Sequence, residues 1–85
     1  MSQLPGFRTQ MVRYAIELTW SPTDGKIALS RRVFSRDVTD ERWSLEDVAV
    51  SAPMTWNEVE DACRVWVTHA VDALLRVEQG SMPFE

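Results

Sequence analysis

The chain is predicted to fold as an α+β domain. A three-stranded antiparallel β-sheet is followed by one long C-terminal helix packed on one face, in the order β-β-β-α. Three observations predict it. Apolar and polar residues alternate with period two over residues 11–20, and again from about Lys26 to Arg36. The residues between them, Ser21-Pro22-Thr23-Asp24-Gly25, have the chemistry of a tight turn. After Thr55 the apolar spacing lengthens to three and four, the period of a helix with one buried stripe.

In the first strand Val12, Tyr14, Ile16, Leu18 and Trp20 point one way, and Arg13, Glu17 and Thr19 the other. The short turn makes the first two strands an antiparallel hairpin. Along the second strand Ile27, Leu29 and Val33 share a face, with Phe34 on the opposite one. Arg31 falls on the apolar face, so a bulge is expected near Arg31-Arg32 to turn that charge outward. Residues 37–42 are polar and read as the next turn. From Trp43 to Ala52 two signals compete: Val48, Val50 and Ala52 alternate as in a strand, whereas Ser44-x-x-Asp47 resembles a helix start. The strand is preferred, because valines cluster at its end and Pro53 closes it.

Thr55-Trp56-Asn57-Glu58 forms a capping box, and Glu58, Glu60 and Asp61 set negative charge against the positive end of the helix dipole. Trp56, Val59, Cys63, Trp66, Ala70, Leu74 and Val77 make one stripe along a helix of about 24 residues, with Glu60–Arg64 and Asp72–Arg76 as i,i+4 pairs. Gly80 stops it. The organisation is thus an N-terminal arm (1–10), a single domain (11–79) and a C-terminal tail (80–85). Both ends carry apolar groups beside a proline, Leu4-Pro5-Gly6-Phe7 and Met82-Pro83-Phe84. They are expected to tuck back onto the domain or to latch onto a neighbour.

With 85 residues, 45% hydrophobic and 26% charged, the composition is that of an ordinary small globular domain. No apolar run approaches the ~18 residues of a membrane span, and the first residues are not expected to act as a secretory signal. Cys63 stands alone, which excludes an intrachain disulfide framework and suits a reducing cytoplasm. One histidine and one cysteine are too few for an ordinary zinc site. No phosphate loop, nucleophile elbow or HExxH helix occurs. His69, with Asp72 three residues on, is the one general-base candidate, and Cys63 lies on the core side of the stripe, where burial keeps a thiol inert. The reading is therefore non-enzymatic, with no cofactor and no small-molecule substrate.

Eight of the nine basic residues are Arg, which either reflects a GC-rich genome or marks an arginine-selective surface. Residues 1–43 carry a net +2 and residues 44–85 a net −6. Arg13, Arg32 and Arg36 on the strands could contact nucleic acid as some sheet-reading DNA-binding domains do, but a pI near 4.9 argues against that partner. Excess apolar surface points elsewhere. Val67, Val71 and Leu75 form a second seam at i, i+4, i+8, displaced to one side of the core stripe. With Phe7 and Phe84 on the arms, this seam is the expected partner interface. The expected partner is a second copy of the chain or a larger assembly. A small phage structural or assembly component, cytoplasmic or built into a virion, would fit that profile.

Overall fold

The computed structural model describes residues 9–80, and Phe7 and Phe84 lie outside them. β1 (Gln10–Trp20), β2 (Ile27–Asp37) and β3 (Ser44–Val50) form one antiparallel sheet in the order β1-β2-β3, followed by the helix α1 (Trp56–Glu78). This is the predicted α+β arrangement. The segment with competing signals is a strand, and β1 begins one residue earlier than the alternation suggests.

β1 and β2 pair without interruption from Gln10↔Asp37 to Trp20↔Ile27. At the turn the Asp24 carboxylate accepts the Lys26 amide at 3.0 Å, and Gly25 takes φ +68°, a conformation that favours glycine. The bulge expected at Arg31-Arg32 is absent, and the ladder shift lies on β3 instead. There Glu46 is the extra residue between Asp47, opposite Val33, and Leu45, opposite Phe34. Arg31 keeps its place on the helix side because a partner reaches it: its guanidinium pairs with Asp47, and its neighbour across the ladder is the small Ala49. The Ser35 hydroxyl, on the same side, donates to the Glu46 carboxylate.

β3 ends at Val50, but pairing to β2 continues. The Ser51 amide donates to the Leu29 carbonyl at 2.8 Å, and Met54 exchanges main-chain bonds of 2.8 and 2.9 Å with Ile27. This path delivers the chain beside Ile27, where α1 starts. Ile27, Leu29 and Val59 form a buried core cluster, with Met54, Ala62, Cys63 and Trp66 packed against them. Leu29 is completely buried, a burial worth roughly 1.5–3 kcal/mol for a side chain of its size. Val33, Ala70 and Ala73 are the other buried apolar residues.

The capping box forms: Glu58 Oε1 accepts the Thr55 amide at 2.9 Å and its hydroxyl at 2.8 Å. Gly80, at φ +103°, ends the helix and donates to the Val77 carbonyl at 3.0 Å. Two members of the predicted stripe are misplaced. Trp56 is 65% exposed and Leu74 is also exposed, because Val59, Ala70 and Ala73 face the sheet most directly and a three-stranded sheet is too narrow to cover a wider arc. Arg64 pairs with Glu60 and Asp61, each at 3.4 Å, whereas no ion pair joins Asp72 and Arg76.

Candidate interaction surfaces

The helix seam is open. Val67 is 50% exposed, Val71 51% and Leu75 49%, and Trp56 and Leu74 lie along the same flank. Helical spacing sets these five on a band roughly 60–160° around the axis from the residues that face the sheet. β3 does not cover this flank.

The sheet face away from the helix is not bare either. Its side chains follow from the register: Arg13 and Glu17 on β1, Arg32, Phe34 and Arg36 on β2, Leu45, Val48 and Val50 on β3. The Arg13 guanidinium lies 4.9 Å from the centre of the Phe34 ring and 4.4 Å from that of Trp43. Arg32 is 5.6 Å from Phe34, and Arg36 is 5.1 Å from Trp43. Each such contact contributes about 0.5–1 kcal/mol at an exposed site. The three arginines singled out as nucleic-acid contacts thus share one surface. Two of the three charges are engaged by polar groups within the domain, however. Arg32 pairs with Glu17 at 2.7 Å, and Arg36 donates to the Asp40 carbonyl. Leu45, Val48 and Val50, all exposed, add an apolar border along β3. The stacking role of Phe34 and Trp43 was missed by sequence reasoning, although Phe34 alternates with Arg32 and Arg36 and so had to share their face.

On the helix side, Tyr14, Arg31, His69, Asp72, Ala73 and Arg76 line an open cleft of about 300 Å³. His69 and Asp72 therefore face accessible space, although no hydrogen bond or ion pair joins them. Burial pushes the Tyr14 phenol above its ordinary value, with the nearby Arg31 charge opposing the rise. A phenol held protonated is a poor nucleophile, and Cys63 packs against the Ile27–Leu29–Val59 cluster away from the cleft. The cleft presents a base without a nucleophile held against it. Among the described residues no three or more His, Cys, Asp or Glu side chains gather to hold a metal ion. No helix among them is long and apolar enough to cross a membrane.

Comparison of the chain with protein-family models, curated proteins and solved structures finds no match. The surfaces must be read on their own chemistry.

Proposed function

We propose that this protein is a small non-enzymatic interaction or assembly protein, which self-associates or docks into a larger complex through the apolar seam of α1. One observation carries the reading: Val67, Val71 and Leu75 are each about half exposed on a continuous helix flank. A contiguous apolar strip of this kind on a small protein favours a protein contact over permanent hydration. The terminal arms, with Phe7 and Phe84, are further candidate contacts, and a component of a phage particle remains the setting that suits such a domain.

The test is the double substitution Val71→Glu and Leu75→Glu. The variant keeps its circular dichroism spectrum and melting behaviour while losing association in light scattering. If it unfolds, the seam belongs to the core and the reading fails.

A second reading rests on the Arg13/Phe34/Trp43/Arg36 stack, since arginines interleaved with aromatic rings can hold nucleic acid. It requires affinity that falls steeply with salt and that drops in Arg32→Ala. The net charge of −4 and the internal pairing of Arg32 and Arg36 favour the first reading.

A further inference from the structure

The outer edge of β1 carries more information than its exposure. The main-chain bonds from Ser21 to Lys26 and from Val38 to Thr9 mark hydrogen-bonded pairs at the two ends of the β1–β2 ladder. In an antiparallel pair such positions alternate, so the odd-numbered residues of β1 turn their amides and carbonyls toward β2. Gln10, Val12, Tyr14, Ile16, Leu18 and Trp20 turn theirs outward. The sheet order leaves this edge unpaired among the described residues.

We infer that a second copy of the chain pairs with this edge, β1 antiparallel to β1 about a two-fold axis at Ala15, giving a continuous six-stranded sheet. The inference rests on the self-association reading above and names a different surface for it. Two independent features select the register. Outward groups must meet outward groups, which requires the numbers of facing residues to sum to an even value. Among such registers, the one centred on Ala15 uses the whole strand and allows about twelve main-chain hydrogen bonds. The same register sets Arg13 opposite the partner's Glu17 and Glu17 opposite the partner's Arg13, so that Glu17, paired with Arg32 in its own chain at 2.7 Å, would be shared between two arginines. A shift of two residues in the two-fold axis sets Arg13 against itself or Glu17 against itself. Charge complementarity thus falls on the register that the geometry of the edge also favours.

The side chains on the helix face agree. In this register Tyr14 meets the partner's Ile16, and Leu18 meets the partner's Val12. Leu18 and Trp20, 54% and 55% exposed in the single chain, gain cover at the seam. Both helices lie on the same side of the joined sheet, because residues directly opposite share a face. Ala15 sits at the two-fold in a non-hydrogen-bonded pair, where facing Cα atoms come within about 4.5 Å. A larger residue there would crowd its own copy.

That last distance supplies the experiment, made on the full chain with Cys63→Ala as background. Ala15→Cys places two thiols within disulfide reach, and mild oxidation should give a covalent dimer of twice the 9.8 kDa chain mass. Thr19→Cys in the same background should not, since the two copies of position 19 lie about 26 Å apart along the strands. Arg13→Glu should weaken association at least tenfold, and Arg13→Glu combined with Glu17→Arg should restore it. Circular dichroism on each variant separates lost pairing from lost fold. A native chain that is monomeric in light scattering, with no cross-link at position 15, overturns the inference. An oligomer that resists cross-linking at position 15 but dissolves in Val71→Glu/Leu75→Glu also overturns it and leaves the helix-seam reading standing. If the position-15 cross-link forms while the seam variant still associates, the edge is supported and the seam reading fails.

Discussion

β1 and β3 border the same sheet, yet they are finished in opposite ways. β3 is 7 residues long, carries a bulge at Glu46, sets Glu46 and Asp47 side by side and runs toward Pro53. Short length, a bulge, charge and proline are the devices by which proteins keep a sheet edge from recruiting another strand. β1 is 11 residues long and pairs with β2 without a bulge or proline, and its two charged residues, Arg13 and Glu17, are of opposite sign. Two large apolar residues, Leu18 and Trp20, lie exposed near its end. Under the edge-pairing proposal the contrast gives the sheet a direction: β3 is the blunted side, although Leu45, Val48 and Val50 lie exposed on it, and β1 is the side on which the sheet would grow.

The comparison can be broken or sharpened by substitution. The largest effect is expected from Leu29→Ala in the central strand, which supports both borders. Emptying that fully buried site costs about 2–5 kcal/mol, much of the stability of a small domain, so thermal melting should show both edges lost together. Next comes a matched pair. Leu18→Lys puts a charge on the apolar face of β1 beside its outward main-chain groups, and should weaken association about tenfold, or ~1.4 kcal/mol, in sedimentation experiments. Val48→Lys on β3 should leave association unchanged. Equal effects from the two would erase the distinction between the edges.

Gly25→Ala tests the turn that aligns β1 against β2. No atom lies within 4 Å of an added Cβ, so the cost comes from the left-handed backbone alone. About 1 kcal/mol, and a melting temperature lower by about 4–8 °C, is expected, with the oligomeric state preserved. The smallest effect concerns acid. The Thr55 amide and then its hydroxyl hold the Glu58 carboxyl below its ordinary value of 4.5, and hydrogen bonds from the Thr39 amide and hydroxyl likewise lower Asp37 from 3.8. Both carboxylates therefore contribute stability that is present above those values and lost as pH falls through the lower folded-state values. In an NMR titration Thr55→Ala should move Glu58 back toward 4.5 and leave Asp37 where it is.

What was legible in the sequence is what neighbours in the chain decide. Asp24 and Gly25 make their turn by local hydrogen bonding and positive φ, and Thr55 and Glu58 cap their own helix, so both elements could be read directly. Arg31 was misread because its partner, Asp47, comes from another strand, and no local pattern announces that a charge on the apolar side will be met there. The bulge moved to β3 for the same reason. Trp56 and Leu74 failed differently. A helical wheel gives their direction correctly, but the width of the sheet beneath decides how far around the helix burial extends. The exposure of Val67, Val71 and Leu75 could be read from their displacement around the wheel, roughly 80–160° from the residues that face the sheet. The open edge of β1 was not, because the outward parity of its amides exists only once the register with β2 is known.

The order of elements also has a consequence in time. All three strands precede the helix, and the residues that cover the sheet, Val59 to Ala73, are synthesised after Val50. A ribosome adding roughly 5–20 residues per second needs about 1–5 s to make the 23 residues from Val50 to Ala73. Until those residues exist, Ile27, Leu29 and Val33 are without their lid.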